Sequence, residues 1–157
     1  MLSKQAFAKI DQEIAKYPSS AKRSAVMSAL RIAQTEKGWL DQDTIQCIAD
    51  YLQMPPIAVH EVATFYHMYY LHPVGRYTLT ICTNLSCALQ GGVQAADYLK
   101  KKLNIGFGET TSDGKFTLLE SECMGACGDA PVMLINNHQL CGLMTPEAID
   151  KKLTELE

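Results

Sequence analysis

No stretch of the sequence is apolar for anything near the roughly 20 residues that a membrane-crossing helix needs, so direct insertion into a bilayer is not expected. The opening MLSKQAFAKIDQEIAKYP lacks the apolar core of a secretory signal, and Asp11 and Glu13 speak against an organellar transit segment. Basic residues do not dominate: 14 Lys and Arg stand against 17 Asp and Glu, a formal charge of −3. Without a basic face, nucleic acid is not an expected partner. The dinucleotide fingerprint G-x-G-x-x-G is missing; Gly91-Gly92 opens a helix but does not complete it. Also missing are a C-x-x-C dithiol, an internal repeat and any low-complexity tract. The 157 residues suffice for one good core, or for one domain with a helical appendage. The expectation is a cytoplasmic, bacterial-type chain whose membrane contact runs through partners.

Cysteine is abundant instead. There are six, many for a reducing compartment, where structural disulfides are disfavoured and clustered cysteines more often bind metal or carry redox chemistry. Four fall into two close pairs, Cys82/Cys87 and Cys123/Cys127, while Cys47 and Cys141 stand alone. The lone two read as small packing residues.

The first half is patterned for helices. Val26, Ala29, Leu30 and Ala33 recur at helical spacing between Ser20 and Lys37, with Ser19 or Ser20 as a cap and Gly38 as a stop. Ile45, Ile48, Ala49 and Leu52 repeat the pattern, and Val59, Val62, Ala63 and Tyr66 do so again beyond Pro55-Pro56. A shorter helix precedes Pro18. At His72-Pro73-Val74-Gly75 the register changes. Tyr77, Leu79 and Ile81 alternate with threonines as in a strand. A helix over 92–103, a loop over 104–114 and strands at 116–119, 132–135 and 139–142 follow, the last two joined by an Asn136-Asn137-His138 turn. Thr145 and Pro146 cap and open a final helix. Strand, helix, three strands and a helix are compatible with a thioredoxin-like mixed sheet. The fold class expected is α+β, a helical part at 1–72 and a mixed-sheet domain at 73–157.

Each cysteine pair follows one of the first two strands. Parallel neighbouring strands end at the same sheet edge, so both loops emerge together and four sulfurs can converge. A 2Fe–2S cluster takes two thiolates on each iron, which two pairs supply. Gly125 and Gly128 allow backbone N–H groups to approach sulfur. Met124 and Leu85 are candidates for limiting water. Structural zinc also takes four cysteines, though usually from C-x2-C knuckles rather than the C-x4-C and C-x3-C present here. Unliganded or disulfide-bonded cysteines complete the open readings.

Other groups receive plain readings. His60, His67 and His72 read as surface or packing residues; His60 and His67 are two turns apart on a predicted helix, too far for one ion. Glu120, Glu122 and Asp129 read as solvated loop charges, and Lys100–Lys102 as a solvated helix end. Phe65, Tyr66, Tyr69 and Tyr70 read equally as packing in the helical half or as a docking surface.

At these residues the sequence resembles the E subunits of bacterial NADH-quinone oxidoreductase (respiratory complex I), within a family that includes thioredoxin-like 2Fe–2S ferredoxins and small subunits of NAD-linked hydrogenases and formate dehydrogenases. The match runs through GWL (38–40), VATFY (62–66), PVGRY (73–77), KKLNI (101–105), TTSDGKFTL (110–118), GDAP (128–131) and MTPE (144–147), with the cysteine pairs in order. The resemblance implies a helical bundle followed by a thioredoxin-like 2Fe–2S ferredoxin domain, with Cys82, Cys87, Cys123 and Cys127 as ligands of one cluster. It implies a single-electron carrier beside a flavoprotein subunit that binds FMN and NADH. Other peripheral-arm subunits complete the assembly, held at the cytoplasmic face of the inner membrane. Alternatives are the corresponding hydrogenase or formate dehydrogenase subunit, or a structural zinc module.

Overall fold

Apolar residues at helical and then at strand spacing generate two separate cores in a computed structural model that describes residues 2–156. The chain divides accordingly into two compact units, Met1–Pro73 and Val74–Glu157. The fold is α+β.

The first unit is helical. Helix α1 (Lys4–Ile14) is capped by Ser3, whose hydroxyl accepts from the Ala6 N–H, and it buries Ala6 and Ile10. Helix α2 (Val26–Lys37) buries Val26, Ala29, Leu30 and Ala33, the periodic set, and ends at Gly38 with φ +85°. Ser19 and Ser20 do not cap it. They lie in a tighter 3-10 stretch, Ser19–Ala25, interrupted at Ala21, so α2 starts at Val26 rather than next to those serines, and without a side-chain cap. Asp41 caps α3 (Gln42–Leu52) by accepting from the Thr44 N–H at 2.7 Å. Pro56 opens α4 (Pro56–Phe65), where the missing N–H costs nothing. That helix stops at Phe65, so His67 lies beyond it rather than two turns along it. Ile10, Leu30, Leu40, Ile48 and Val59 form the centre of this core.

The second unit is a four-stranded sheet of order β2-β1-β3-β4, formed by β1 (Tyr77–Cys82), β2 (Phe116–Ser121), β3 (Met133–Ile135) and β4 (Gln139–Cys141). β1 and β2 are parallel, in a register that sets Cys82 opposite Ser121. Parallel pairing requires a crossover, and α5 (Leu85–Leu89) and α6 (Gly92–Leu103) supply its helices. β3 runs antiparallel to β1 and turns into β4 through Asn136 and Asn137, both at positive φ, as a tight hairpin needs. Thr145 caps α7 (Pro146–Glu155). Leu79, Ile81, Leu99, Leu118, Met133 and Ile149 fill the core.

The lysines near the end of α6 are not simply solvated. Lys102 pairs with Asp150 of α7 at 3.1 Å, and Lys100 sits over the Phe107 ring. Tyr98 donates to the same Asp150, so both helices are tied at one carboxylate. Asp150 is held below the usual carboxylate range by its bonds to Lys102 and Tyr98.

Candidate metal centre

Cys82 is the last residue of β1, not the first beyond it, and its N–H donates to the Val132 carbonyl. Cys87 lies on α5, a five-residue helix that Asn84 caps by accepting from the Leu85 N–H. Glycine at 92 lets α6 start against this segment: a Cβ there would fall 2.8 Å from the carbonyl oxygens of both Cys82 and Cys87. Cys123 follows β2 by two residues, and Cys127 opens the 3-10 turn Cys127–Asp129.

The pairs differ in environment. Cys82 and Cys87 are each 1% exposed, in a small apolar cluster with Ala130 and Val132 that Met124 and Ala126 flank. Cys123 and Cys127 are exposed. Met124 packs against this cluster, whereas Leu85 is 72% exposed. Burial pushes the Cys87 thiol above its usual range; hydrogen bonding with Cys82 and the charges of Cys82 and Cys127 add to this, against an N–H from Val132 that favours the thiolate. The second pair is thus within electrostatic reach of the first.

Cys123 and Cys127 place their sulfurs 3.7 Å apart, and the Gly125 N–H donates to Cys123 Sγ at 3.3 Å. Two thiolates on one tetrahedral metal, each at about 2.3 Å, stand about 3.8 Å apart. Two free thiols in contact do likewise, so the pair accepts a metal without requiring one. All six cysteines are free, and among the described residues no group of three or more His, Cys, Asp or Glu is gathered closely enough to hold a metal ion. The structure forms two pairs, not a closed four-sulfur cage.

Two of the three nearby carboxylates, Glu120 and Glu122, are solvated but also bonded. Glu120 accepts from the Thr83 hydroxyl at 2.6 Å, and Glu122 accepts from the Asn84 amide at 2.6 Å. The first bond runs from the loop after Cys82 to the end of β2, and the second from that loop to the one that carries Cys123. Cys47 packs against the helical core, and Cys141 is buried in β4, as their plain readings required. The aromatic run divides: Tyr69 is 6% exposed and donates to the Met27 carbonyl, while Phe65 is 74% exposed.

The sequence model of the thioredoxin-like 2Fe–2S ferredoxin family matches residues 10–157. The chain belongs to that family. Among curated relatives of this ferredoxin, the NADH-quinone oxidoreductase E subunit of Rickettsia typhi is 47% identical over 125 residues, covering 79% of this chain and 74% of the relative. NADH-quinone oxidoreductase subunit 2 of Thermus thermophilus is 39% identical over 147 residues, covering 94% and 81%. Among solved structures, an NAD+-reducing NiFe hydrogenase in its air-oxidised state shares the fold with a TM-score of 0.69 at 21% identity. The match covers 81% of this chain but spans only 22% of the hydrogenase chain.

The donor set fits the family's cofactor. Four free thiols stand in two pairs at the ends of adjacent parallel strands, and none of the four is tied up in a disulfide. Soft thiolates are the ligands iron–sulfur clusters take.

Proposed function

We propose that this chain is the electron-transfer subunit of an NADH-quinone oxidoreductase, and that Cys82, Cys87, Cys123 and Cys127 hold its single 2Fe–2S cluster. The observation that carries the reading is the register of β1 on β2, which brings both cysteine loops out at one sheet edge. Relatives bearing that complex's name align with most of the chain.

When bound, such a cluster supplies one-electron redox chemistry. The chain's own residues do the rest. β1 and α5 fix Cys82 and Cys87 within an apolar wall of Ala130 and Val132 that excludes water. Backbone N–H groups of Gly125 and Val132 disperse charge on the Cys123 and Cys87 sulfurs. No residue is asked to act as a general acid or base.

The proposed partner is a flavoprotein subunit that binds NADH and FMN, since this chain has no dinucleotide fingerprint of its own. The flavin there takes two electrons together and releases them singly. Phe65 is the aromatic most available for docking. Other peripheral-arm subunits complete the assembly, placed on the cytoplasmic face of the inner membrane. Among the described residues no helix is long and apolar enough to cross a membrane.

Anaerobic purification with iron and sulfide assays, followed by electron paramagnetic resonance after dithionite reduction, tests the cluster. Two irons and two sulfides per chain with a signal on reduction are expected; a colourless chain with one zinc overturns the reading. Co-purification with a flavoprotein and quinone-linked NADH oxidation distinguishes this assembly from an NAD-linked hydrogenase or formate dehydrogenase.

A further inference from the structure

The parallel ladder between β1 and β2 ends at Cys82 and Ser121, with one more backbone bond from the Thr83 N–H to the Ser121 carbonyl at 3.4 Å. Around that point side chains also link the two segments. Thr83, next to Cys82, reaches Glu120; Asn84 reaches Glu122, next to Cys123. Asn84 is engaged at both ends of its amide. Its oxygen caps the short helix that carries Cys87, while its nitrogen donates to Glu122.

We propose that Asn84 and Glu122 form a latch that holds the two cysteine loops at working separation and sets how firmly the cluster is retained, with Thr83 and Glu120 as a second, lesser clasp. These are positioning residues, and the assignment rests on the ligand set proposed above. A carboxylate beside a negatively charged thiolate site is electrostatically unhelpful, so its presence calls for a compensating role. Accepting a hydrogen bond as an ion is that role: such bonds are stronger than neutral ones. The latch runs from the neighbour of Cys123 through one amide to the cap of α5 and so to Cys87. It joins one ligand of each pair without a backbone bond.

The amide's two ends allow a direct test. Asn84→Asp keeps an oxygen to cap α5 but sets a carboxylate against Glu122. Glu122→Ala removes the acceptor and one negative charge, so the two variants change charge in opposite directions. The swap Asn84→Asp with Glu122→Gln restores a bond with donor and acceptor exchanged and returns the net charge to that of the wild type. Each reconstituted full-length chain is challenged anaerobically with an iron chelator, and the loss of visible absorption is timed. Reduction potentials are recorded alongside.

Both single variants are expected to lose the cluster about tenfold faster, the scale of one charge-assisted bond. Their potentials should move in opposite directions, Asn84→Asp downward and Glu122→Ala upward. The swap should return the release rate to within about twofold of wild type. Release rates that follow charge, opposite in the two single variants, would overturn the latch, as would a swap that loses its cluster as fast as Asn84→Asp. Unchanged release in both singles would overturn it too while leaving the ligand set standing. A wild-type chain that takes up no iron and sulfide would overturn the ligand set itself, and the latch with it.

Discussion

Two of the four paired cysteines are sealed within protein and two face outward, so substitutions should separate by role rather than by exposure. Serine at any of Cys82, Cys87, Cys123 or Cys127 is expected to abolish or gravely weaken the cluster's absorption and resonance signal. Cys47→Ser and Cys141→Ser should leave both intact; an unchanged spectrum in Cys123→Ser would break the ligand assignment. In the helical unit, Tyr69 is the residue to watch. Its hydroxyl donates to the Met27 carbonyl at 2.9 Å, and Tyr69→Phe is expected to cost about 1 kcal/mol in denaturant unfolding. Burial pushes its phenol up to about 12, and a hydrogen bond to Asp11 pushes Tyr51 up to about 12. Unfolded tyrosine titrates near pH 10. The folded state therefore favours the protonated phenol. Its contribution is complete below about pH 10 and is lost as pH rises through about 12. Alkaline melts of wild type and Tyr69→Phe should converge over that window.

At the level of elements, caps and close approaches decide where segments begin. Asp41 is held below the usual carboxylate range, first by its bonds to Thr44. Asp41→Ala should cost about 1 kcal/mol by loss of the α3 cap. The depressed pKa also means that the cap's contribution is present above the unfolded value near 3.9 and fades as pH falls through the folded one. The acid limb of a stability profile should therefore be shallower in Asp41→Ala. Gly92→Ala would drive a methyl into the carbonyls of Cys82 and Cys87. It is expected to lower both the melting temperature and the iron content, whereas Gly38, with open space around it, tests only its left-handed turn.

These elements also show what the sequence could and could not disclose. The helices α2, α3 and α4 were legible because each repeats apolar residues at helical spacing over about two turns. The β3–β4 hairpin was legible because two adjacent asparagines tolerate positive φ. Helix α5 was not: five residues are too few for a period to emerge, although Asn84 before Leu85 was a capping signal. The 3-10 stretch Ser19–Ala25 has no apolar repeat to announce it. The cysteine pairs stood out by spacing, but the bonds from Thr83 and Asn84 to Glu120 and Glu122 did not. Those partners lie 37 and 38 positions apart, and only the parallel register aligns them.

For the whole molecule, the two units keep their cores apart: the apolar set around Leu30 and Ile48 shares no residue with the set around Leu79 and Leu118. Residues 74–157, expressed alone, are expected to retain the sheet and its cysteines and to take up iron and sulfide; circular dichroism and a metal assay check this. Such a fragment is near the size at which one core is barely sufficient, so a reduced melting point is part of the expectation. The sheet has little open edge to make it sticky. Along the outer side of β2 the Gly108 and Thr111 N–H groups donate to the Leu118 and Phe116 carbonyls and the Glu109 carbonyl accepts from the Leu118 N–H, and β4 at the far edge is only three residues long.

The unequal burial of the sulfurs gives the site a direction. Cys123 and Cys127 meet solvent, while Cys82 and Cys87 are enclosed in the folded chain, so under the proposed ligand set a cluster would be reached from the side of the outer pair. Iron and sulfide delivered during biogenesis would meet the outer pair first and the inner pair last. Oxidants and chelators would arrive by the same route, so the threshold at which such a centre would be filled would also be the place where its decay would begin.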